Sequence, residues 1–511
     1  MTTFVETIRK SRVRLEWVWL FLASGLLLVA NGANTIGLAA WLTPLFLLRF
    51  VRQQRLWLGL SIAFVLLAVT FAIQFRGMVP MTGIAYFAFN AMFGLILVIP
   101  YLFDRFLTPR LTGLAATLVF PFAWAGMDYL TSFTIGGSWG SIAYSQYGNL
   151  PLLQLLSVTG MWGITFLIGW FASIGNLVWE DGIVSVRARQ SAAIYGSILI
   201  GVILAGGARM AFFPPASETI RVAGLVRNDV DPALRSGIKH VREKKAIAEE
   251  VAQFRDWSRS VSEHLLTRAE REAEAGAKII LWGEANIVVF KEDEEALLAR
   301  GRALAAKHKI YLGMAIVSFH QDKDPAGENK IVLITPEGQV AWEYFKTHPV
   351  PGPEAQVSIK GDGKLRSLDT PYGRLSAAIC FDFDFPQLLQ QAGTLNADTM
   401  LNPSSDWIAI DPWHTVMASY RGIEQGFNQV RPTSDGLSAA YDYQGRTLAV
   451  LDHFRATNRN MIVQMPTKGV PTLYARLGDW FAWLSLLGLA VLVAITGWSN
   501  SQSIHAHPRR H

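Results

Sequence analysis

The chain has 511 residues, of which 51% are hydrophobic and only 17% are charged. This composition excludes an ordinary soluble protein, so membrane-spanning segments must be considered first. The net charge of +6 is compatible with nucleic-acid binding, but the basic residues lie beside apolar runs and form no patch or helical stripe, so no nucleic-acid partner is predicted.

Apolar runs fill the first 213 residues and recur once near the C-terminus. A helix needs about 20 apolar residues to cross the hydrocarbon core of a bilayer, and about 17 suffice for a short span. A membrane domain of seven spans is therefore predicted over residues 1–213, followed by a domain of soluble composition over residues 219–467 and an eighth span. The predicted spans, of which the first two are short, lie at residues 15–31, 36–50, 57–74, 81–103, 111–130, 152–178, 191–212 and 478–497.

The arginines and lysines that flank these spans indicate how the chain is oriented. They lie on the side of the N-terminus, whereas the short loops after the first, third and fifth spans contain only Arg76. Because cytoplasmic loops carry the excess of basic residues, both termini, including the tail at 498–511, are predicted in the cytoplasm and the 219–467 domain outside. A cleaved signal peptide over residues 1–31 is the alternative, but the apolar pattern continues beyond it and favours an uncleaved span.

Asn90 and Asp128 are polar residues inside predicted spans. Polar groups are costly to bury in lipid, so intramembrane polar residues are functional candidates. Asp128 lies near the outer end of the fifth span, where contact with interfacial water explains it equally well.

From Ile220 the chain alternates between strand-like and helix-like segments. Segments rich in β-branched and aromatic residues predict strands, namely IRVAGLV, KIILWGE, KIYLGMAIV, KIVLITP, QVAWEYFK, RLSAAICF and TMLNPSS. Intervening segments predict helices at residues 240–276, 293–307, 385–393 and 411–427. This alternation predicts an α/β fold of layered sheets with flanking helices.

Three chemically reactive side chains end predicted strands of this domain. Glu284 ends KIILWGE, Lys346 ends QVAWEYFK, and Cys380, the single cysteine of the chain, closes RLSAAIC. Singly, each has an ordinary explanation, since a lone cysteine usually packs in a core and a strand-end Glu or Lys is usually solvated. The carboxyl ends of strands line the ligand crevice of α/β sheets, so together the three residues predict one site at one sheet edge.

These three groups are complementary in acyl transfer. A carboxylate accepts the thiol proton, the thiolate attacks a carbonyl carbon to give a thioester, and an ammonium stabilises the oxyanion. The predicted helix from residue 385 begins just after Cys380, and its dipole is expected to lower the pKa of the thiol. The histidines are scattered without metal-binding spacing, so no metal and no other cofactor is predicted.

At these residues the sequence resembles the nitrilase superfamily, in which Glu, Lys and Cys follow one another on an αββα sandwich. LWGE resembles its W-P-E, YFKTHPVPGPE its K-x-H-x-V-P-x-x-E, and ICFDFDFP its C-Y-E-x-x-F-P. The spans around this domain resemble the apolipoprotein N-acyltransferase family, as do the stretches GGSWGSIAYSQ and NPSSDW. The resemblance covers nearly the whole chain and implies a multi-span α-helical membrane domain joined to an α/β nitrilase-like αββα domain.

The resemblance also implies roles for individual residues. Glu284 would be the general base, Cys380 the nucleophile and Lys346 the group that stabilises the oxyanion, with Glu354 as a second carboxylate that positions them. Three aromatic residues are candidates for lipid contact. They are Trp407, Phe381 and Trp139, of which Trp139 is explained more simply by ordinary packing or an interfacial belt.

The implied reaction moves a fatty acyl chain from a phospholipid, through a Cys380 thioester, to the α-amine of a lipoprotein's N-terminal diacylglyceryl-cysteine. The implied location is the bacterial inner membrane, with the catalytic domain on the periplasmic side. The sequence departs from the family at four places. Gly283 stands where the family has proline, and Phe381-Asp382 stands where it has Tyr-Glu. Val226-Arg227-Asn228 replaces Gln-Gly-Asn, and Ser434-Asp435-Gly436 replaces Asn-Thr-Gly.

Two other enzymes remain open as alternatives. One is a membrane-anchored nitrilase-like amidase, although anchoring requires only one span, and the other is a paralogous N-acyltransferase that acts on another amine. A transporter or scaffold with a degenerate domain is disfavoured because the triad is complete.

Overall fold

The computed structural model describes residues 2–228, 240 and 247–505, and the side chains of residues 15–228, 240 and 247–497. The chain separates into two compact units, one formed by Met1–Ala211 with Leu477–His511 and the other by Phe212–Arg476. The first unit is built of helices, and the second contains the sheets. The predicted combination of a helical membrane domain with an α/β domain is confirmed.

The helices of the first unit follow the predicted spans. They are α1 (Thr2–Leu27), α2 (Gly37–Gln53), α3 (Leu56–Gln74), α4 (Gly83–Leu107), α5 (Gly113–Thr131), α6 (Leu150–Leu153), α7 (Leu156–Thr159), α8 (Trp162–Asp181), α9 (Val186–Phe212) and α16 (Trp480–His505). The main difference lies in the predicted span at 152–178, where two short helices precede α8. Gly160, between α7 and α8, has a φ of +64°, a left-handed value that interrupts a helix.

Helices of this unit are suited to a lipid environment. Large apolar side chains such as Trp57, Ile84 and Leu204 are exposed on them, which lipid favours and water does not. Within the described part of the chain, five helices are long and apolar enough to cross a membrane, namely Leu56–Gln74, Gly83–Arg110, Trp162–Asp181, Val186–Phe212 and Trp480–Gly497. The chain is therefore a membrane protein, while the number of eight spans and their orientation stay predictions.

The two polar residues noted within the spans bond inside this unit. Asp128 accepts hydrogen bonds from Ser141 Oγ and Thr165 Oγ1, both at 2.6 Å. Asn90 Nδ2 donates to the Tyr86 carbonyl oxygen at 2.7 Å. Such bonds reduce the cost of placing polar groups in apolar surroundings, so these contacts fit a structural role.

Strands and helices alternate in the second unit. The strands are β1 (Thr219–Leu225), β2 (Ile279–Trp282), β3 (Ile287–Phe290), β4 (Tyr311–Phe319), β5 (Gly327–Ile334), β6 (Val340–Phe345), β7 (Ser367–Thr370), β8 (Gly373–Ala377), β9 (Thr399–Leu401), β10 (Ser404–Ser405), β11 (Asn428–Arg431), β12 (Thr433–Ser434), β13 (Leu437–Tyr441), β14 (Thr447–Asp452) and β15 (Asn460–Pro466). The helices are α10 (Ala248–Glu274), α11 (Lys291–His308), α12 (Pro353–Val357), α13 (Pro386–Thr394), α14 (Trp413–Gln425) and α15 (Leu473–Leu477). The predicted helix at 240–276 falls partly on residues 241–246, which lie outside the described residues.

The strands form two main sheets. The first has the order β15-β1-β2-β4-β5-β6, with β3 also paired to β4, and the second has the order β14-β13-β11-β9-β8-β7. Strands β10 and β12 form a separate parallel pair. Each main sheet has a parallel centre, β1-β2-β4 in one and β8-β9-β11 in the other, flanked by antiparallel strands.

The two sheets pack face to face. One apolar core joins Leu281 and Ile331 of the first sheet to Leu375 and Leu401 of the second, and it also includes side chains of α13 and α14. A separate core packs α10 and α11 against the first sheet. Helices thus cover both sheets, which gives the αββα order that was predicted.

Candidate active site

The three predicted triad residues follow strands of the second unit, but those strands do not share a sheet. Glu284 follows β2 and Lys346 follows β6, and both strands belong to the first sheet. Cys380 follows β8, which belongs to the second sheet. The prediction of a single sheet edge is therefore wrong, because the sandwich brings strand ends of two facing sheets together.

Lys346 lies at the centre of a buried ion-pair cluster. Its Nζ donates to Glu284 Oε1 at 2.8 Å and to the two carboxylate oxygens of Glu354 at 2.9 and 3.0 Å. The side chains of Lys346 and Glu284 are only 2% and 4% exposed. Burial alone would lower the pKa of Lys346, but Glu284 and Glu354 hold it well above its usual value. The amine is therefore a stable ammonium ion.

Asn329 joins the same cluster and was not predicted from the sequence. Its Nδ2 donates to Glu284 Oε1 at 2.7 Å and to Glu354 Oε1 at 3.0 Å. Glu354 Oε2 additionally accepts the Val350 backbone N–H at 2.8 Å. Glu354 is thus fixed by bonds of its own and lies beside Glu284.

Ser405 links Glu284 to Cys380. Its backbone N–H donates to Glu284 Oε2 at 2.8 Å, and its carbonyl oxygen lies 3.7 Å from Cys380 Sγ. The charge of Glu284 also acts on the Cys380 thiol. The structure therefore places the carboxylate and the thiol as close neighbours.

Cys380 itself adopts an unusual backbone conformation. Its φ is +50°, in the left-handed region that residues other than glycine seldom adopt. The Cys380 backbone N–H faces the Pro403 carbonyl oxygen at 3.0 Å and Asn402 Oδ1 at 3.2 Å. Strain of this kind persists only where surrounding bonds enforce it, and it is typical of functional sites.

Asp382 ties the Cys380 turn to the segment after Lys346. It is fully buried and accepts hydrogen bonds from Tyr344 Oη at 2.7 Å and from the His348 backbone N–H at 2.8 Å. Aspartate at this position, where the family has glutamate, thus connects the two sheets of the site. The replacement of glutamate by Asp382 therefore keeps a carboxylate at this position, and its hydrogen bonds hold the site together.

The Cys380 thiol is protonated at rest. Burial and then the charge of Glu284 raise its pKa well above the usual value. The expectation that a helix dipole lowers this pKa is wrong, because a 3-10 turn over Cys380–Asp384 separates the thiol from α13. Reaction therefore requires proton transfer from the thiol to a base.

The aromatic candidates are divided between the two units. Phe381 is buried, with its ring edge-on to Phe385 at a centroid distance of 5.2 Å. Trp407 is half-buried in the loop after β10. Trp139 belongs to the first unit, where its half-buried ring lies 6.0 Å from Phe75. The triad and Glu354, by contrast, come together within the second unit alone.

A second buried ion-pair network lies beside Cys380. Asp406 Oδ1 is 4.0 Å from the Sγ atom and accepts a hydrogen bond from His414 Nδ1 at 2.8 Å. The guanidinium of Arg431 lies 3.3 Å from the same carboxylate, and His414 Nε2 lies 3.3 Å from Asp384. Burial would lower the pKa of His414, but Asp406 and Asp384 raise it to about 9. The ring is thus an imidazolium at neutral pH.

Cys380, Asp406 and His414 also bring possible metal ligands within 4.8 Å of one another. Arg431, however, lies 3.0 Å from His414 Nδ1 as well as 3.3 Å from Asp406. A guanidinium thus occupies the position where a metal ion would place its charge, so the cluster fits an ion-pair network better than a metal site.

Two protein families match different parts of the chain. Residues 226–466 match the carbon-nitrogen hydrolase family, and this match includes Glu284, Lys346 and Cys380. Residues 23–174 match the N-terminal domain of apolipoprotein N-acyltransferase. The two matches thus cover most of the sheet-containing unit and more than half of the helical unit.

Individual relatives extend across both units. The chain is 25% identical over 422 residues to an apolipoprotein N-acyltransferase of Geobacter metallireducens, which covers 77% of this chain and 76% of the relative. For the protein of that name from Bradyrhizobium diazoefficiens, the identity is 29% over 423 residues, 76% of this chain and 73% of the relative. The apolipoprotein N-acyltransferase of Vibrio vulnificus is 24% identical over 493 residues, which cover 88% of this chain and 91% of the relative.

Proposed function

The chain belongs to the apolipoprotein N-acyltransferase family, and we propose that it transfers a fatty acyl chain from a phospholipid to the N-terminal α-amine of an S-diacylglyceryl-cysteine lipoprotein. The observation that carries this proposal is the buried cluster of Glu284, Lys346 and Cys380. It joins a base, a cation and a thiol in a chain whose other unit has the apolar helices of a membrane enzyme.

The first half-reaction would acylate Cys380. Glu284 takes the thiol proton while Sγ attacks the carbonyl carbon of the phospholipid ester, and the Lys346 ammonium stabilises the oxyanion. The bond to the glycerol oxygen then breaks, and Glu284 returns the proton to that oxygen. The products are a Cys380 thioester and a lysophospholipid.

The second half-reaction would use the same groups in the opposite direction. The α-amine attacks the thioester carbonyl, Glu284 takes a proton from the nitrogen, and Lys346 again stabilises the oxyanion. The carbon–sulfur bond breaks, and the proton passes to the sulfur. An amide is formed, and the Cys380 thiol is restored for another cycle.

Glu354 and Asn329 would position these groups. Lys346 and Asn329 each bond to both carboxylates, so the ammonium is held between two fixed anions. An oxyanion stabiliser is effective only when it is held in place before charge develops. Phe381 and Trp407 are proposed as contacts for the acyl chain on the side of Cys380. Trp139 of the helical unit is proposed separately as a residue that contacts lipid.

We further propose that the enzyme lies in the bacterial inner membrane with the catalytic unit, predicted over residues 219–467, on the periplasmic side. The supporting observation is the placement of basic residues, since the short loops on the opposite side contain only Arg76. A periplasmic site would reach lipoproteins after export.

The competing reaction is hydrolysis of the same thioester by water, as in an amidase. The test uses purified protein in detergent with a phospholipid of one defined acyl chain. We expect the peptide that contains Cys380 to gain the mass of that chain. A diacylated lipopeptide with a free α-amine should then remove the adduct, and the same lipopeptide with an acetylated amine should not.

Cys380→Ala is the control for this experiment, because the chain has one cysteine and the variant should gain no mass. Absence of any adduct in the wild-type protein would refute the acyltransferase mechanism. Release of free fatty acid at an equal rate without an amine would favour the amidase. Discharge onto an unrelated amine in preference to the lipopeptide would favour a paralogous transferase.

A further inference from the structure

Asp406 poses an electrostatic problem for the nucleophile proposed above. Its Oδ1 lies 4.0 Å from Cys380 Sγ, and both side chains are buried. A negative charge at this distance in a buried site opposes formation of a thiolate. Glu284 already supplies the carboxylate that the reaction uses, so a second anion beside the thiol needs a different explanation.

Hydrogen bonds show what Asp406 holds in place. Its backbone N–H donates to the Ser434 carbonyl oxygen at 2.8 Å, and its side chain accepts from Ser404 Oγ at 3.3 Å. Ser405 lies between these bonds and contacts both Glu284 and Cys380. Asp406 thus anchors the end of β10, and Ser405 of this strand sets the spacing of Glu284 and Cys380.

Two buried cations face this carboxylate from other elements. His414 of α14 donates at 2.8 Å, and Arg431 of β11 lies 3.3 Å away. His414 also pairs with Asp384 at 3.3 Å. Two cations and two carboxylates therefore form a neutral group, which is much less costly to bury than an isolated charge.

We propose that His414 and Arg431 are positioning residues that neutralise Asp406, so that this carboxylate anchors the 404–406 segment beside Cys380 without repelling the thiolate. The inference rests on Cys380 as the nucleophile of the proposed function. It adds residues outside the Glu284, Lys346 and Cys380 triad that tune the thiol through charge and through the Ser405 contact.

The test is the pH dependence of Cys380 alkylation by iodoacetamide, which is specific because the chain has a single cysteine. The charged groups that act on the thiol are Glu284, Lys346, Asp406 and Arg431. The variants below remove the charge of Asp406, of Arg431 or of their neighbour His414, and they leave Glu284 and Lys346 in place. His414→Gln removes a cation and leaves Asp406 under-compensated, so the alkylation midpoint should rise. Asp406→Asn removes the anion, so the midpoint should fall. We expect shifts of about one pH unit, or roughly tenfold in rate below the midpoint.

Opposite shifts distinguish charge compensation from simple support. Loss of a purely structural bond between Asp406 and His414 would alter reactivity in the same direction in both variants. The double variant Asp406→Asn/His414→Gln should return toward the wild-type midpoint. Arg431→Gln offers a second cation variant, with the same upward shift expected, should His414→Gln fail to fold.

His320→Gln is the matched control. His320 is also buried and bonds to a carboxylate, Glu328, at 2.6 Å, but this pair is not part of the Asp406 network. The pH midpoint of Cys380 alkylation in His320→Gln should match that of the wild type. Equal midpoints in all folded variants, or shifts in one direction only, would overturn the inference. Alkylation needs no turnover, so this outcome is independent of whether the acyl adduct of the proposed function forms.

Discussion

Glu284 and Glu354 share the same two donors, because Lys346 Nζ and Asn329 Nδ2 each hydrogen-bond to both carboxylates. Two carboxylates that share a site repel each other when both are ionised. A buried ammonium and an amide between them offset that repulsion. The shared donors thus hold Glu284 and Glu354 in one fixed arrangement, which suits the proposed role of Glu284 as the base for Cys380.

Lys346→Met should abolish most of the activity. An oxyanion stabiliser contributes about a hundredfold or more to the rate, and the variant also leaves two carboxylates without their cation, which typically costs about 3–5 kcal/mol of stability. Single-turnover acylation and thermal unfolding should be measured together. Lys330→Met is the control, because Lys330 is equally buried and paired with Glu294 at 2.7 Å. It should lose stability while the folded fraction keeps its rate, and near-normal acylation in folded Lys346→Met would contradict the proposed role.

Asn329→Asp should change the pH profile of acylation. The substitution keeps the size of the side chain but adds a third carboxylate within hydrogen-bonding distance of Glu284 and Glu354. Like charges raise carboxylate pKa values, so the acid limb of the rate profile should move to higher pH. Asn329→Ala should lower the rate with a smaller movement of that limb. If the acylation rate of both variants falls at the same acidic pH as that of the wild type, Asn329 does not control the ionisation of the proposed base.

His414 should make the stability of the catalytic unit depend on pH. Its pKa in the folded protein is about 9, against an ordinary value of 6.5. A pKa raised by folding contributes stability that is fully present below about pH 6.5 and is lost as the pH rises through about 9. The difference in unfolding free energy between wild type and His414→Gln should therefore shrink over this interval. A difference that stays constant from pH 6 to 9.5 would contradict the assigned ionisation.

The positions of the three candidate residues at strand ends could be predicted from the sequence because each residue closes a recognisable strand pattern. Glu284, Lys346 and Cys380 are separated widely along the chain, but strand ends meet in a layered α/β fold. The division of these strands between two sheets could not be predicted, since strand patterns do not reveal which sheet a strand joins. The break before α8 was likewise missed, although Gly160 was visible in an otherwise apolar run.

Asn329 could not be assigned because it lies within a strand instead of at its end. In β5, side chains alternate between faces, so Asn329 points to the catalytic cluster while Glu328 and Lys330 enter a different ion-pair network. The sequence shows three adjacent polar residues but not the side on which each acts. Asp406 was hidden in a similar way, because its partners His414 and Arg431 come from distant elements.

Reporter fusions test the proposed orientation. Fusions after Arg55, Arg110 and Arg189 should report the cytoplasm, because basic residues concentrate on that face. A fusion at Gly327, in the catalytic unit, should report the periplasm. A fusion at Gly327 interrupts β5, so accessibility of a cysteine placed at exposed Asp322, in the Cys380→Ala background, provides a check in the intact fold. A cytoplasmic signal from both would overturn the periplasmic placement.

The loop after Asp406 should discriminate long acyl donors from small reagents. Trp407 is half-buried and Ile408 is 73% exposed, and both follow directly on the 404–406 segment that contacts Cys380 Sγ. An exposed isoleucine beside a buried nucleophile is apolar surface that an acyl chain can cover, and such contacts contribute about 1–3 kcal/mol each. Trp407→Ala and Ile408→Asp should therefore slow adduct formation from a long-chain phospholipid roughly tenfold or more, while iodoacetamide alkylation stays unchanged.

Ile247→Asp is the matched control, since Ile247 is 62% exposed but precedes α10, far along the chain from this loop. It should leave both rates unaltered. Equal slowing of both reactions in the loop variants would indicate a displaced Cys380 turn, and an unchanged phospholipid rate would remove Trp407 and Ile408 from the acyl-chain site.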